Sequence, residues 1–148
     1  MKVLMVCLGN ICRSPLAEGI LKSKVFLKDV YVDSAGTAGY HVGKAPDKRS
    51  IAVAHKYGID ISNQQCRKFS VQDFDNFDLI YAMDNSNYDN IVQLARDDYD
   101  KAKVRMILNE VHPNENLDIP DPYYGGAYGF ETVYKMLNEA CDKIIEQL

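Results

Sequence analysis

Apolar positions in this chain fall into short dense runs, separated by stretches where they recur every three or four residues. Val3-Leu4-Met5-Val6 is the first run, and Lys2 to Val6 reads as a short buried strand. Leu79 to Ala82 and Val104 to Ile107 are runs of the same kind, and Val30 to Asp33 alternates apolar with polar. The helical spacing appears from Pro15 to about Lys28, with Leu16, Gly19, Ile20, Ser23 and Leu27 along one stripe. It returns at Lys48 to Tyr57, where Gly58 is the stop, and at Asn85 to Ala95. Val71 to Asn76 fits a single helical turn. Gly129 to Gln147 forms a last amphipathic helix, with Val133, Met136, Leu137, Ala140, Cys141 and Ile144 facing inward. Ser34 to Gly39 is a loop of small residues. Asn114 to Gly126 carries Pro120 and Pro122, ends in Gly-Gly and reads as a long loop.

Strands thus alternate with helices. The expected fold class is α/β: an open twisted sheet of four parallel strands with helices on both faces. In such folds ligands bind beyond the carboxyl ends of the strands. The 148 residues fit a single domain spanning 1–148, with no linker or repeat. The net charge of -4 leaves no electrostatic footprint for nucleic acid, so an anionic substrate needs a local positive site. The run after Lys2 is too short for a signal-peptide core, and nothing else approaches a membrane span. The expectation is a soluble, cytoplasmic protein without membrane contact. Cys7, Cys12, Cys66 and Cys141 show no C-x-x-C spacing, and His41, His55 and His112 do not cluster with them, so neither a zinc site nor a disulfide framework is expected.

The chemistry concentrates in VCLGNICRSP, where the first strand meets the first helix. Cys7 ends the strand, Leu8 to Arg13 form the loop, and Ser14-Pro15 reads as N-cap and first helical residue. Such a loop can curl so that successive N–H groups point inward, aided by the helix dipole, to make a phosphate-binding loop of Leu8, Gly9, Asn10, Ile11, Cys12, Arg13 and Ser14. Gly9 permits close backbone approach, and Asn10 tolerates left-handed angles. Arg13 offers a planar fork to two oxygens of a tetrahedral anion. The same groups, with the Ser14 hydroxyl, stabilise a Cys7 thiolate. A thiolate in line with bound phosphorus is a nucleophile, so Cys-x5-Arg is a workable phosphoryl-transfer site. The triphosphate-binding pattern G-x-x-x-x-G-K-[ST] is absent.

Expelling an alkoxide or phenoxide calls for a general acid. Asp121, after the fourth strand in IPDPYYGG, is the candidate. Pro120 and Pro122 stiffen its approach, and the two glycines would let the segment fold over a pocket. Tyr123 and Tyr124 would flank a flat aromatic leaving group.

Together VCLGNICRSPLAE, DSAGT at 33–37, AMDNSN at 82–87 and DPYYGG at 121–126 resemble the low-molecular-weight protein tyrosine phosphatase family over nearly the whole chain. The resemblance implies a phosphotyrosine phosphatase I-like fold and hydrolysis of phosphotyrosine and small aryl phosphates through a cysteinyl phosphate. By it Cys7 is the nucleophile, Arg13 the phosphate clamp and Asp121 the general acid. Asn10 would be held by Ser34, Ser14 would support the thiolate, Leu8 would floor the pocket, and Tyr40 would wall it with Tyr123 and Tyr124. It implies no metal or organic cofactor. Expected partners are phosphotyrosine proteins, a tyrosine kinase or its substrates among them, and the protein itself would be a monomer or weak homodimer. Cys12 would form a protective disulfide with Cys7 under peroxide.

One departure stands out: many relatives carry a histidine that steadies the loop asparagine where this chain has Ser62-Asn63. Three other readings share the scaffold. Arginine phosphatases of the family have threonine at the position of Ile11, and the apolar Ile11 suits an aryl ester better. Arsenate reductases use two further cysteines after the third strand, and Asn85 to Asp100 contains none. A non-catalytic phosphate-binding module would keep the loop without turnover.

Overall fold

The computed structural model describes residues 1–124 and 127–148, and the side chains of Tyr124, Ala127 and Tyr128 lie outside that description. Four strands, β1 (Lys2–Cys7), β2 (Tyr31–Gly36), β3 (Leu79–Ala82) and β4 (Val104–Met106), form one parallel sheet in the order β2-β1-β3-β4. Among the described residues six helices accompany them: α1 (Arg13–Val25), α2 (Lys48–Lys56), α3 (Gln72–Asn76), α4 (Asn85–Val92), α5 (Asp98–Ala102) and α6 (Ala127–Ile145). Short 3-10 turns follow at Ile107–Glu110 and Pro122–Tyr124.

The unbroken apolar run of β1 follows from burial on both faces. Val3, Met5 and Cys7 point into a core built with Leu16 and Ile20 of α1 and Leu137 and Cys141 of α6. Leu4 and Val6 point into a second core with Phe69, Phe74 and Ile91. The strand order turns at β1, because β2 lies on one side and β3 on the other. The crevice beyond the carboxyl end of β1 is therefore the topological switch point, where α/β sheets bind ligands. Cys7 is the residue that ends β1 there.

Several boundaries differ from the pattern. Strand β2 runs on to Gly36, taking in Ser34, Ala35 and Gly36, which alone read as loop. A side chain at Gly36 would meet the Leu8 carbonyl oxygen at 2.8 Å, so small residues here let the strand pass directly beneath the loop that follows β1. Helix α1 begins at Arg13 with Cys12 as its N-cap, so Ser14 lies inside the first turn instead of capping it. Its expected stripe also fails, because Ser23 and Leu27 are exposed while Arg13 through Leu21 are buried on every side between the sheet, α2 and α6. Helix α4 stops at Val92, short of Ala95. Helix α5 was not expected from the acidic run Asp97-Asp98-Tyr99-Asp100, yet the Asp97 carboxylate caps it by accepting from the Asp100 N–H at 2.9 Å.

Candidate active site

The backbone of the loop after β1 is paired one-sidedly: five of its carbonyls accept hydrogen bonds from neighbouring segments. The Cys7 and Leu8 carbonyls accept from the N–H groups of Thr37 and Ala38, each at 2.9 Å, and that of Ile11 from the Asp47 N–H at 2.8 Å. The Asn10 carbonyl accepts from the Cys66 thiol at 2.7 Å, and the Cys12 carbonyl from the Ser50 hydroxyl at 3.2 Å. The N–H groups of residues 9–13 donate to no partner among the described residues. They start a helix whose N-cap side chain makes no capping bond and whose first turn holds no acidic residue. That is the signature of an anion-binding helix N-terminus. Asn10 makes the turn with φ at 56°.

Around this ring lies a cavity of about 280 Å³ lined by Cys7, Leu8, Gly9, Ile11, Cys12, Arg13, Tyr40, His41, Asp121 and Tyr123. The structure brings together Cys7, Arg13 and Asp121, from three separate elements. The Ser14 hydroxyl lies 3.0 Å from the Cys7 sulfur, and Asn10 Nδ2 donates to Ser14 at 2.8 Å and to Ser34 at 2.9 Å. Arg13 is 2% exposed, and its Nη1 donates to Asp84 at 2.7 Å and to the Ile119 carbonyl at 2.9 Å. Its Nη2 is 3.7 Å from Asp121. Burial works against the guanidinium charge, but Cys7, Asp84 and Asp121 outweigh it and hold its pKa above the ordinary value. Burial, reinforced by Asp47, Cys7 and Asp121, pushes the Cys12 thiol up to about 12, so Cys12 stays a neutral thiol beside the cavity.

The rim is aromatic. Tyr40 is 75% exposed and meets the edge of His41, and Tyr123 lines the same cavity. Leu8, half-exposed, contributes its apolar side chain to the same lining. The Tyr124 side chain and the Gly125-Gly126 pair, to which pocket roles were also assigned, lie outside the described residues. Arg49 was not foreseen. Its guanidinium packs over the rings of Tyr123 and Phe130 at 5.4 and 4.6 Å, and its pair with Asp47 holds that carboxyl below the usual carboxylate range. It thereby ties the segment carrying Asp121 to the segment that receives the Ile11 carbonyl.

Asn63 does not take the place of the relatives' histidine, for it is exposed and gives no hydrogen bond to Asn10. The Asn10 amide oxygen accepts instead from the Arg67 N–H at 3.0 Å. Gln64, the neighbour that does turn inward, donates to the Pro15 carbonyl at 3.0 Å. Among the described residues no group of three or more His, Cys, Asp or Glu could hold a metal ion.

Asp84 is a second residue that spacing alone could not assign. One carboxylate oxygen accepts from the Asn87 N–H at 2.7 Å to cap α4, and the other pairs with buried Arg13. Asp84→Asn should keep the cap but leave Arg13 short of a counter-charge. A loss of about 2–3 kcal/mol is expected by urea unfolding, toward the lower side for a broken buried pair because Asp121 remains near. Asp84→Ala should cost about 1 kcal/mol more, for the cap. Inorganic phosphate should restore more stability to these variants than to the wild type, and a wild-type midpoint for Asp84→Asn would refute the pairing argument.

The comparisons with known proteins identify the family. A family model described as low molecular weight phosphotyrosine protein phosphatase matches residues 2–148. The chain is 42% identical to low molecular weight phosphotyrosine protein phosphatase 1 of Drosophila melanogaster, over 99% of this chain and 96% of that protein. Among solved structures, a protein tyrosine phosphatase from Entamoeba histolytica superposes with a TM-score of 0.92 at 38% identity, covering 99% of this chain and 96% of that one. A Drosophila arginine phosphatase superposes with a TM-score of 0.91 at 37% identity, covering 99% and 97%. With a matched sequence family, a matched fold and a thiol, an arginine and a carboxylate gathered at the switch point, the chain belongs to the low molecular weight phosphotyrosine protein phosphatase family.

Proposed function

We propose that this protein hydrolyses phosphotyrosine in proteins by a two-step transfer through Cys7. The observation that carries the reading is the run of N–H groups at residues 9–13, without an acceptor among the described residues, in the loop whose Cys7 lines one cavity with Arg13 and Asp121. The ester phosphate binds in the ring with two oxygens on Arg13. The Cys7 thiolate attacks phosphorus, the P–O bond to the tyrosine breaks, and Asp121 gives its proton to the departing phenoxide. Water then attacks the cysteinyl phosphate and yields its proton to Asp121. The S–P bond breaks, releasing inorganic phosphate and restoring the thiolate. The N–H ring stabilises the charge on the equatorial oxygens in both steps. Tyr40, Tyr123 and the apolar Leu8 and Ile11 suit an aryl group at the mouth.

Substrates are then phosphotyrosine proteins, a tyrosine kinase or its targets among them. Four free cysteines suit a reducing, cytoplasmic setting, and no helix among the described residues is long and apolar enough to cross a membrane. Cys12 supports a redox switch, since it lines the same cavity as Cys7. Peroxide would convert the Cys7 thiolate to a sulfenic acid, and the Cys12 thiol would displace water from it to form the disulfide.

The test is phosphate release from matched phosphotyrosine, phosphoserine and phosphoarginine peptides. Release from phosphotyrosine, and little from phosphoserine, is expected. Preference for phosphoarginine would overturn the substrate assignment and favour the activity of the Drosophila neighbour. Retention of the peptides without release would instead support a binding module.

A further inference from the structure

Glu18 is a buried carboxylate for which the mechanism above has no use. Its side chain is 4% exposed, in the second turn of α1. One oxygen accepts from the Ser34 hydroxyl at 2.6 Å, and the other accepts from Lys22 Nζ at 2.6 Å. Lys22 is half-exposed, so the ion pair runs from the solvent to the interior. An inward carboxylate is costly to bury unless it performs a task there or is fully paired.

The hydrogen bonds of Asn10 fix the direction of every proton in this cluster. The Asn10 amide oxygen is occupied by the Arg67 N–H, so the amide cannot flip without losing that bond. Its two Nδ2 hydrogens therefore go to Ser14 and Ser34. Ser34 receives a hydrogen from Asn10 and must send its own elsewhere; Glu18 is the acceptor it has. Ser14 likewise receives from Asn10, so its proton is free for the Cys7 sulfur at 3.0 Å, the nearer of two acceptors, the other being the Ala35 carbonyl at 3.4 Å.

We infer that Glu18 is a positioning residue for Cys7: by accepting the Ser34 proton it locks Ser34 as an acceptor, and this holds the Asn10 amide in the one orientation that leaves the Ser14 proton aimed at the sulfur. The inference rests on the reading of Cys7 as nucleophile. It also explains how the loop asparagine is steadied in a chain whose Asn63 does not reach it. A glutamine at 18 cannot satisfy both neighbours. If its oxygen faces Lys22, its NH2 faces Ser34, and the Ser34 proton is then directed back at Asn10.

Glu18→Gln should lower kcat/KM on an aryl phosphate roughly tenfold, the size of one charge-assisted hydrogen bond. The rate of Cys7 alkylation by iodoacetamide at neutral pH should fall by a similar factor. The inhibition constant of inorganic phosphate should change less than about threefold, because the N–H ring and Arg13 are untouched. The route is read by a double-mutant cycle. In a Ser34→Ala background, adding Glu18→Gln should produce no further loss in either rate. Equal losses in both backgrounds, or wild-type rates for Glu18→Gln, would overturn the inference. If Glu18→Gln does not fold, the cycle is run with Glu18→Met/Lys22→Met, which removes the acceptor of the Ser34 proton together with the ammonium. Alkylation reports on the Cys7 thiolate without turnover, so it stays decisive even if the substrate assignment fails. Normal turnover by Cys7→Ser is the separate result that would remove the nucleophile itself.

Discussion

Cys7→Ser should abolish phosphate release while phosphate binding survives. The two halves of this result have different physical origins. Binding depends on the N–H groups of residues 9–13 and on Arg13, and none of these changes in the variant. The serine hydroxyl is smaller than the thiol and fits the buried end of β1 without displacing Leu16 or Ile20. Turnover, in contrast, needs an ionised nucleophile. An alcohol is intrinsically a far weaker acid than a thiol, and the hydrogen-bond neighbour of that atom is the Ser14 hydroxyl, not a base. A fall on the order of 10⁴-fold or more in kcat is expected, as for loss of a covalent nucleophile elsewhere. The dissociation constant for inorganic phosphate, by calorimetry, should stay within roughly tenfold of wild type. It could even tighten, since the bound dianion no longer faces a thiolate. Residual turnover near the wild-type rate would mean that water attacks phosphorus directly and that Cys7 merely fills space.

The sequence carried the architecture well wherever burial is enforced from both sides. The run at β3 and the start of β1 match the strands because parallel strands covered on both faces must be apolar throughout. It failed where one residue type has two uses. Ser14 before Pro15 looks like a cap, but its hydroxyl is committed to Asn10 and Cys7, and the helix begins one turn's fraction earlier. Ser34-Ala35-Gly36 looks like a loop because small polar residues favour turns; here they are small so that the strand can pass under the residue 8–9 backbone. In the site, residues joined by one short loop were legible as a group. Of their partners, Ser34 was legible through the family resemblance and Asp121 through its Pro-flanked segment, while Glu18 and Asp84 were not. Glu18 lies within α1 like any surface glutamate, and Asp84 sits in the short turn between β3 and α4. Only the register of β1 with β2 and β3, which sets Met5 opposite Ser34 and Val6 opposite Ala82, brings Ser34 and the segment after β3 to the loop. Arg49 and Arg67 are likewise placed by long-range contacts, to Phe130 and to Asp33. Local spacing contains no signal for such meetings.

Asp121 offers the sharper test of how the proton moves, because its removal should leave the fold nearly intact. Its carboxyl is 37% exposed. Its local bond, from the Tyr123 N–H at 3.0 Å, can be kept by asparagine. The segment stays anchored by Arg49 against Tyr123 and Phe130 and by the Ile119 N–H donating to the Met83 carbonyl at 2.8 Å. Asp121→Asn should therefore unfold within about 0.5 kcal/mol of wild type, as exposed substitutions do. Its kcat/KM on phosphotyrosine should nevertheless drop roughly 10²–10⁴-fold, the range for loss of a general acid. The size of the drop must depend on the leaving group. Phenoxide is a strong base and needs the proton at the moment the P–O bond breaks, whereas p-nitrophenoxide leaves with little help. A series of aryl phosphates of rising leaving-group basicity should then show a shallow dependence for wild type and a steep one for Asp121→Asn. Two plots displaced in parallel would show that Asp121 contributes charge beside Arg13, 3.7 Å away, and not a proton. The general acid would then have to be sought in the other polar groups of the cavity wall, beginning with His41, which lines the same opening.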